Sequence, residues 1–263
     1  MKIISIVSSG RKNGNTARIV KHLQEAVLQQ AVKKNILAEF EQIDLANSNI
    51  QFCMGCRVCF DKGEALCPLK DSLLAVRNKI DQADGVIFAS PVYVEDVNGI
   101  MKNWIDRMAF NCHRPAFAGK AAAIITNSGV GSSNHALKTI KSALLTWGFS
   151  VAVQSKFRTG ALITEEQLNI RYGNKIKTVA GKLFNTIYRK RAEYPSFYSL
   201  MVFKVQQRYW LKTKNELNTY DYLYWKRRGW LEATCNYYIN HKAGFVKVKL
   251  AGIAGYIISL FFI

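Results

Sequence analysis

Short apolar runs that suit buried strands recur along the first 190 residues of the chain. Residues 3–7, 85–89 and 121–126 are almost continuously apolar, as expected of central strands in a parallel sheet covered by helices on both faces. Residues 149–153 form a similar run, whereas residues 36–43 alternate loosely with acidic side chains, which is typical of an edge strand. The pattern therefore predicts five strands.

Amphipathic stripes at helical spacing alternate with these strands. The stripes are carried by Thr16, Val20, Leu23 and Val27; by Leu73, Val76 and Ile80; by Met101, Trp104 and Met108; by Ala136, Ile140 and Ala143; and by Leu168, Tyr172, Ile176, Val179 and Leu183. Such alternation favours a parallel sheet with right-handed crossovers. We therefore predict an α/β fold, a flavodoxin-like doubly wound five-stranded sheet in the order 2-1-3-4-5, over residues 1–190. Residues 191–263 then form a basic, aromatic C-terminal extension.

Residues 8–16 join the first predicted strand to the first helix and carry the features of a phosphate-binding loop. A helix N-terminus directs backbone N–H groups and the positive end of the helix dipole at one point, which favours an anion. Gly10 and Gly14 permit tight turns there. The predicted phosphate contacts are Ser9, Arg11, Asn13, Asn15 and Thr16. The spacing differs from that of nucleoside-triphosphate loops, and the alternative is a polar turn in which Asn15 caps the helix.

Two further polar loops leave predicted strands at the same carboxyl edge, where open α/β sheets bind ligands. One of them begins at Pro91, which we expect to end the strand. It presents the aromatic side chain of Tyr93, which can stack on a planar ring or, alternatively, anchor the loop. The other is rich in Gly and Ser and can offer peptide groups to the polar edge of such a ring. The predicted ring contacts are Pro91, Val92 and Tyr93 in the first loop and Ser128, Gly129, Val130 and Gly131 in the second. A phosphate loop and two ring loops together predict FMN.

Four of the six cysteines lie close together in the spacing C-x2-C-x2-C-x7-C. They are Cys53, Cys56, Cys59 and Cys67. Because disulfides are rare in the cytoplasm, this spacing indicates thiolate or metal chemistry. The two-residue intervals, and Pro68 after the fourth cysteine, match part of the bacterial ferredoxin run, so the four are predicted ligands of a 4Fe-4S cluster. Zinc, which usually takes two separated cysteine pairs, and a packed loop of reduced thiols are the alternatives.

In this order, the motifs resemble those of the flavodoxin-like NAD(P)H-dependent FMN reductases, a family that includes the iron-sulfur flavoproteins. The stretch Ser9-x-Arg11-x-Asn13-Gly14-Asn15-Thr16 resembles their phosphate signature. Residues 90–93 resemble their isoalloxazine loop, and the cysteine spacing resembles the cluster-binding pattern of the iron-sulfur branch. The resemblance covers residues 1 to about 190 and also reaches a block at residues 221–230.

The resemblance implies an FMN-dependent oxidoreductase that is reduced by NADH or NADPH and passes electrons to a quinone-like, flavin or protein acceptor. The flavin N5 would take the hydride, so that no catalytic side chain is required. This agrees with a sequence that shows neither a His/Asp/Ser set nor paired carboxylates. A flavodoxin-like electron-transfer protein without NAD(P)H oxidation is the alternative.

Positive charge is concentrated in the second part of the chain. The formal net charge is +19, and Lys and Arg exceed Asp and Glu by 6 in residues 1–155 and by 13 in residues 156–263. Aromatic residues are interleaved with these cations over residues 192–249, and the apolar run at residues 250–263 is too short to span a bilayer. No nucleic-acid-reading motif accompanies the charge, so nucleic-acid binding is a weaker alternative.

The compartment and the partners follow from the two ends of the chain. No charged-then-apolar leader precedes the first strand, so we expect a cytoplasmic protein. We expect the extension either to contact the inner face of the membrane peripherally or to pack into a partner in a homodimer or larger homo-oligomer.

Overall fold

The computed structural model describes residues 1–213 and 219–262. The strands are β1 (Lys2–Val7), β2 (Glu39–Asp44), β3 (Gly85–Tyr93), β4 (Asp96–Val97), β5 (Ala121–Ser128) and β6 (Ser150–Arg158). The first six helices are α1 (Asn15–Val32), α2 (Val58–Asp61), α3 (Leu73–Asp81), α4 (Gly99–Arg107), α5 (Asn134–Thr146) and α6 (Glu165–Tyr188). The extension contributes α7 (Phe197–Lys212), α8 (Tyr220–Arg227) and α9 (Phe245–Phe262).

The sheet confirms the predicted topology. Five parallel strands follow the order β2-β1-β3-β5-β6, and β4 is a short strand that pairs only with β3. The loops that follow β1, β3 and β5 therefore leave the same edge of the sheet, on neighbouring strands.

Two strand ends differ from the prediction. Pro91 does not end β3, because the strand continues to Tyr93. Pro91 is instead the last residue that pairs with β5, opposite Asn127, and the strand then turns into an antiparallel hairpin with β4. Similarly, β6 runs to Arg158, beyond the predicted apolar segment, because an edge strand can continue with polar side chains that alternate towards solvent.

Apolar side chains fill two layers, one on each face of the sheet. Ile4 and Ile6 of β1 point into the layer formed with α3, α4 and α5, while Ile3 and Val7 point into the layer formed with α1 and α6. Successive strand residues face opposite sides, so a strand buried on both faces must be apolar throughout. This accounts for the continuous apolar runs of β1 and β3.

The extension forms a third apolar core of its own. Its buried aromatic residues are Phe203, Trp210, Trp225, Trp230, Tyr237 and Tyr238. These six residues pack on one another, so the predicted contact of the extension with a membrane or a partner must use other side chains. The predicted boundary near residue 190 stays a prediction.

Part of the predicted tail lies outside the described residues, namely residues 214–218 and Ile263. Within the ranges described, no helix is both long enough and apolar enough to cross a membrane.

Candidate functional site

The loop after β1 forms a tight turn at the start of α1. The Gly14 N–H donates to the Arg11 carbonyl oxygen at 3.0 Å, and the Arg11 N–H donates to Ser9 Oγ at 3.3 Å. A Cβ added to Gly14 would lie 3.1 Å from Arg11 Cβ and 3.2 Å from Ser9 Oγ, so the turn has little room for a larger residue. Gly14 is also the N-cap of α1, whose first turn has no acidic residue and no side-chain cap. The first amides of the helix are therefore suited to an anion.

The five predicted phosphate contacts occupy different positions in this turn. Arg11 and Asn13 are exposed, Ser9 is half-buried and Thr16 is buried. Asn15 is the first residue of α1 rather than its cap, and its Nδ2 donates to Thr159 Oγ1 at 3.0 Å and to the Gly160 carbonyl oxygen at 2.8 Å. The side-chain amide of Asn15 thus ties α1 to the loop after β6. Arg11 and Lys12 are the charged side chains of the turn, and both are exposed.

Two polar side chains that the sequence did not single out hold the loops together. Thr159 Oγ1 donates to Asn127 Oδ1 at 3.0 Å, so that Asn15, Thr159 and Asn127 join the start of α1 to the ends of β6 and β5. Asn98 is buried, donates to the Ser8 carbonyl oxygen at 2.6 Å and caps α4 by accepting from the Met101 N–H. An Asn just before a helical stripe is a cap signal, and this signal was available for Asn98.

The loop after β3 is a hairpin turn in an unfavourable conformation. Val94 and Glu95 have φ angles of 49° and 65°, in the region that Gly and Asn normally occupy. Such residues cost about 1–3 kcal/mol each and are found preferentially at functional sites. Pro91 is buried beneath the turn, Val92 is half-buried, and Tyr93 exposes 54% of its surface. The aromatic face of Tyr93 is therefore accessible to a ligand.

The loop after β5 lies next to this hairpin. Ser128 is buried at the end of β5, whereas Gly129, Val130 and Gly131 are exposed. A Cβ added to Gly131 would lie 4.0 Å from Glu95 Cγ. All three predicted loops thus leave one edge of the sheet, on the neighbouring strands β1, β3 and β5. Their chemistry fits FMN, because the turn suits a phosphate and the exposed peptide groups suit the ring.

The four clustered cysteines line a single cavity of about 90 Å³. Cys53 and Cys56 are exposed, and Cys59 and Cys67 are half-buried. Burial raises the pKa of the Cys59 thiol, the Arg114 charge opposes this increase, and Cys67 and Cys53 add to it. Among residues 1–213 and 219–262, no three His, Cys, Asp or Glu side chains are grouped closely enough to hold a metal ion. The structure therefore brings the predicted ligands to one cavity without closing them around a metal.

A buried arginine forms one wall of this cavity. Arg107 Nη1 donates to Asp71 Oδ2 at 2.5 Å and to the Gln51 carbonyl oxygen at 2.7 Å, and its Nη2 lies 3.9 Å from Cys67 Sγ. Burial alone would raise the pKa of Asp71, but hydrogen bonds from Arg107 and from backbone amides lower it below its usual value. Asp71 therefore stays ionised beside Arg107. Arg107 Nη2 is nevertheless directed at Cys67 Sγ, and an N–H donor there suits a thiolate or an anionic metal cluster.

A second buried arginine, Arg114, connects the cysteine loop to the extension. Its guanidinium donates to the Cys59 carbonyl oxygen at 2.7 Å, to Glu64 Oε2 at 2.9 Å and to Asp221 Oδ1 of α8. Tyr220 packs directly on Gly63, whose φ of 102° and lack of a Cβ leave room for the ring. The first turn of α8 thus covers one side of the cysteine loop. Sequence patterns did not predict this contact because Arg114 and Asp221 are far apart in the chain.

Known proteins are similar to this chain over most of its length. The model of the family described as NADPH-dependent FMN reductase matches residues 1–159. An iron-sulfur flavoprotein of Archaeoglobus fulgidus is 29% identical over 88% of this chain and 100% of its own length. An iron-sulfur flavoprotein of Clostridioides difficile is 29% identical over 72% of this chain and 81% of its own. The crystal structure of an FMN-dependent NADH-azoreductase from Bacillus anthracis, in complex with FMN, shares the fold with a TM-score of 0.53 and 15% identity, covering 70% of this chain and 99% of that one.

Proposed function

The chain belongs to the NADPH-dependent FMN reductase family and is an FMN-dependent oxidoreductase, and from this premise we propose that a reduced nicotinamide coenzyme supplies its electrons. A quinone-like compound, a flavin or a protein would then accept them. The observation that carries the proposal is the meeting of the loops after β1, β3 and β5 around the uncapped start of α1. It supports a site in which the flavin phosphate and ring are held at the same time.

The residues of the chain bind and orient, and none is needed as a catalytic acid or base. Bound FMN supplies the redox chemistry, because its N5 accepts a hydride and the ring can release electrons singly or in pairs. The amides at the start of α1 and Arg11 would hold the phosphate. Tyr93 would contact the ring from the hairpin, and the peptide groups of Gly129 and Gly131 would hydrogen-bond to its polar edge. Asn98 and Thr159 keep these loops in register.

We further propose that Cys53, Cys56, Cys59 and Cys67 hold a 4Fe-4S cluster. Three observations support this proposal: the four thiols line one cavity, Arg107 lies 3.9 Å from Cys67 Sγ, and Arg114 donates to the Cys59 carbonyl oxygen. A cluster bound there would supply single-electron transfer. Cluster binding requires the exposed Cys53 and Cys56 thiols to turn inward from the irregular segment that carries them.

Absorbance of the anaerobically purified protein tests both parts of the proposal. We expect flavin bands together with a broad shoulder from the cluster, and stopped-flow mixing with NADPH or NADH should bleach the flavin bands. Cys56→Ser should remove the shoulder and leave the flavin bands in place. Cys112→Ser is the matched control, because Cys112 is half-buried but lies outside the cysteine loop.

Each part fails on a different result. A flavin that neither coenzyme reduces would identify an electron carrier rather than a reductase. A wild-type spectrum without the shoulder, after anaerobic purification and iron-sulfide reconstitution, would remove the cluster.

We also propose that α9 attaches the protein peripherally to an anionic membrane surface. Its exposed side chains include Leu250, Ile253, Ile257 and Leu260, and Lys247 and Lys249 lie near its start. An apolar helix face beside cations suits the interface of an anionic bilayer.

A further inference from the structure

A cavity of about 350 Å³ lies beside the 128–131 loop, between the carboxyl end of β6 and the first half of α6. Its wall includes Ser128 and Ser133, which precede and follow the glycines of that loop. Four cationic residues also line it: Lys156, Arg158, Arg171 and Lys175. None of the ten lining residues is acidic. The cavity therefore combines hydroxyl groups with a concentration of positive charge next to the flavin site.

The charges of this cavity are not neutralised by the protein. No carboxylate of the described chain forms an ion pair with any of the four cations. Lys156 Nζ donates to Asn134 Oδ1, Lys175 Nζ donates to the Lys156 carbonyl oxygen at 2.5 Å, and the Arg171 guanidinium lies over the Tyr172 ring. Burial, and then the charge of Lys156, lower the pKa of Lys175. Cations that repel one another in this way are stabilised when an anion binds between them.

The start of α5 adds to this positive potential. Ser132, Ser133 and Asn134 line the cavity, and α5 begins at Asn134. The N-cap Ser133 makes no side-chain cap bond, and the first turn of the helix has no acidic residue. The positive end of a 13-residue helix dipole therefore lies at the wall that also carries the cations. The start of α5 and the four cationic side chains favour the same kind of ligand, namely a compact anion with several acceptor oxygens.

We propose that this cavity binds the 2′-phosphate of NADPH, so that the protein distinguishes NADPH from NADH. The inference rests on the proposed function, in which a nicotinamide coenzyme donates a hydride to FMN. The cavity shares Ser128 with the 128–131 loop, so the adenosine end of a coenzyme that extended past this loop from the flavin would reach it. NADPH carries a 2′-phosphate at that end where NADH carries only a hydroxyl group. The buried ring of Phe157 and the ring of Tyr172 add apolar surface beside the cations, which suits an adenosine phosphate better than a free ion.

Calorimetric titration of the FMN-loaded protein tests the proposal without any redox step. The probes are 2′,5′-ADP, which carries the 2′-phosphate, and 5′-AMP, which lacks it. We expect 2′,5′-ADP to bind at least about tenfold more tightly, as expected for charge-assisted bonds to a phosphate. The double variant Arg171→Gln/Lys175→Gln should lose most of this preference. Lys177→Gln is the matched control, because Lys177 is an exposed cation of α6 outside the cavity.

Two results would overturn the assignment. In the first, the wild-type protein binds the two nucleotides equally. In the second, inorganic phosphate binds as tightly as 2′,5′-ADP and competes with it, which would identify a simple anion site. Failure of the proposed function is a separate result, since it appears as a flavin that neither coenzyme reduces. The nucleotide titration decides the cavity assignment whatever that measurement shows.

Discussion

Arg11 forms no ion pair with a carboxylate of the described residues. The backbone of its turn is held by hydrogen bonds within the turn itself. The guanidinium therefore contributes little to the fold, and its reversal should leave the sheet intact. The side chain is exposed beside the first turn of α1, where a phosphate would accept from both the guanidinium and the amides. A substitution of Arg11 should therefore change ligand binding, which can be measured separately from stability.

At this scale we predict that Arg11→Glu weakens FMN retention. Loss of one charge-assisted hydrogen bond removes about 1.5–3 kcal/mol, or at least about tenfold in Kd, and the new carboxylate adds repulsion. Fluorescence titration of the apoprotein with FMN measures the change. Lys33→Glu makes the same charge change at the other end of α1, about 30 Å away by helix rise, and should leave the Kd unaltered. Equal flavin affinity in Arg11→Glu and the wild type would contradict the assignment of the turn.

At the scale of secondary-structure elements, α8 closes the cysteine loop through a buried ionic cluster. Arg114 and Asp221 are 2% and 3% exposed, and His113 Nδ1 lies 2.7 Å from Asp221 Oδ2. Burial, followed by the charges of Arg114 and Arg57, lowers the pKa of His113, so the ring is neutral at pH 7. Asp221 is then the closest anion to the Arg114 guanidinium, with Glu64 as the second. Trp225 of the same helix donates to the His113 carbonyl oxygen at 2.7 Å and fixes the orientation of α8.

We predict that Asp221→Asn destabilises the protein by about 1.5–3 kcal/mol, because the substitution removes the closer of the two carboxylates that face the buried Arg114 guanidinium and leaves Glu64 as its counter-charge. Urea denaturation followed by tryptophan fluorescence gives the free energy of unfolding. Limited proteolysis should also cut the extension of the variant faster than that of the wild type. Glu193→Gln, which removes an exposed pair with Lys242 in the same extension, serves as the control and should have little effect. Unchanged stability of Asp221→Asn would mean that α8 is held by its aromatic packing alone.

The elements of the α/β region were predictable because the hydrophobic pattern of each segment shows which of its faces is buried. An apolar run such as residues 85–89 must be covered on both faces, and stripes such as Met101, Trp104 and Met108 must pack against a sheet. The five parallel strands and the five long helices of this region therefore follow from local patterns, whereas the short β4 and α2 do not. The ends of β3 and β6 were not predictable in this way. Each end depends on whether a neighbouring strand lies beside that residue. The local sequence around Pro91 or Lys156 does not show whether such a neighbour is present.

The candidate site was predictable only where the sequence repeats a known arrangement. The glycines and polar residues of the 8–16 turn identify a phosphate loop because strand, turn and helix are consecutive there. Asn98, Thr159 and Asp221 contact residues that lie 90, 32 and 107 positions away, respectively, so no local pattern indicates their partners. Asn15 fits the phosphate signature, and that assignment stays a prediction; the contact of its side-chain amide with the loop after β6 is one that no local pattern indicates.

At the scale of the whole molecule, α9 differs from a typical amphipathic helix, because its small residues are buried and its large apolar residues are exposed. Its small residues Ala251, Gly255 and Ser259 face α7, and a Cβ added to Gly255 would lie only 2.7 Å from the Met201 carbonyl oxygen. Its large apolar side chains point outward instead, and Ile253 and Ile257 are each at least half exposed. Close packing through small residues leaves the apolar face free for another surface.

The charge of the molecule favours the proposed membrane surface as the partner of this face. Lys and Arg exceed acidic residues by 13 in residues 156–263. On the helix pair itself, the Arg208 guanidinium lies over the Tyr256 ring and Lys249 Nζ lies over the Phe245 ring. Cations beside exposed apolar groups complement an anionic lipid surface, whereas two copies of the same basic face would repel each other.

We therefore predict that the full-length protein sediments with vesicles containing phosphatidylserine at low salt, and less so as salt screens the attraction. Ile253→Glu/Ile257→Glu should abolish sedimentation, because burying each Ile contributes about 1.5 kcal/mol and losing both weakens binding roughly 100-fold. Ile170→Glu makes the same substitution at an exposed position of α6 and should sediment like the wild type. Light scattering of the same proteins measures their oligomeric state and so tests the alternative, in which a second copy of the chain covers α9. A wild-type dimer that ignores vesicles and dissociates in the double variant would show that a second copy, rather than a membrane, covers α9.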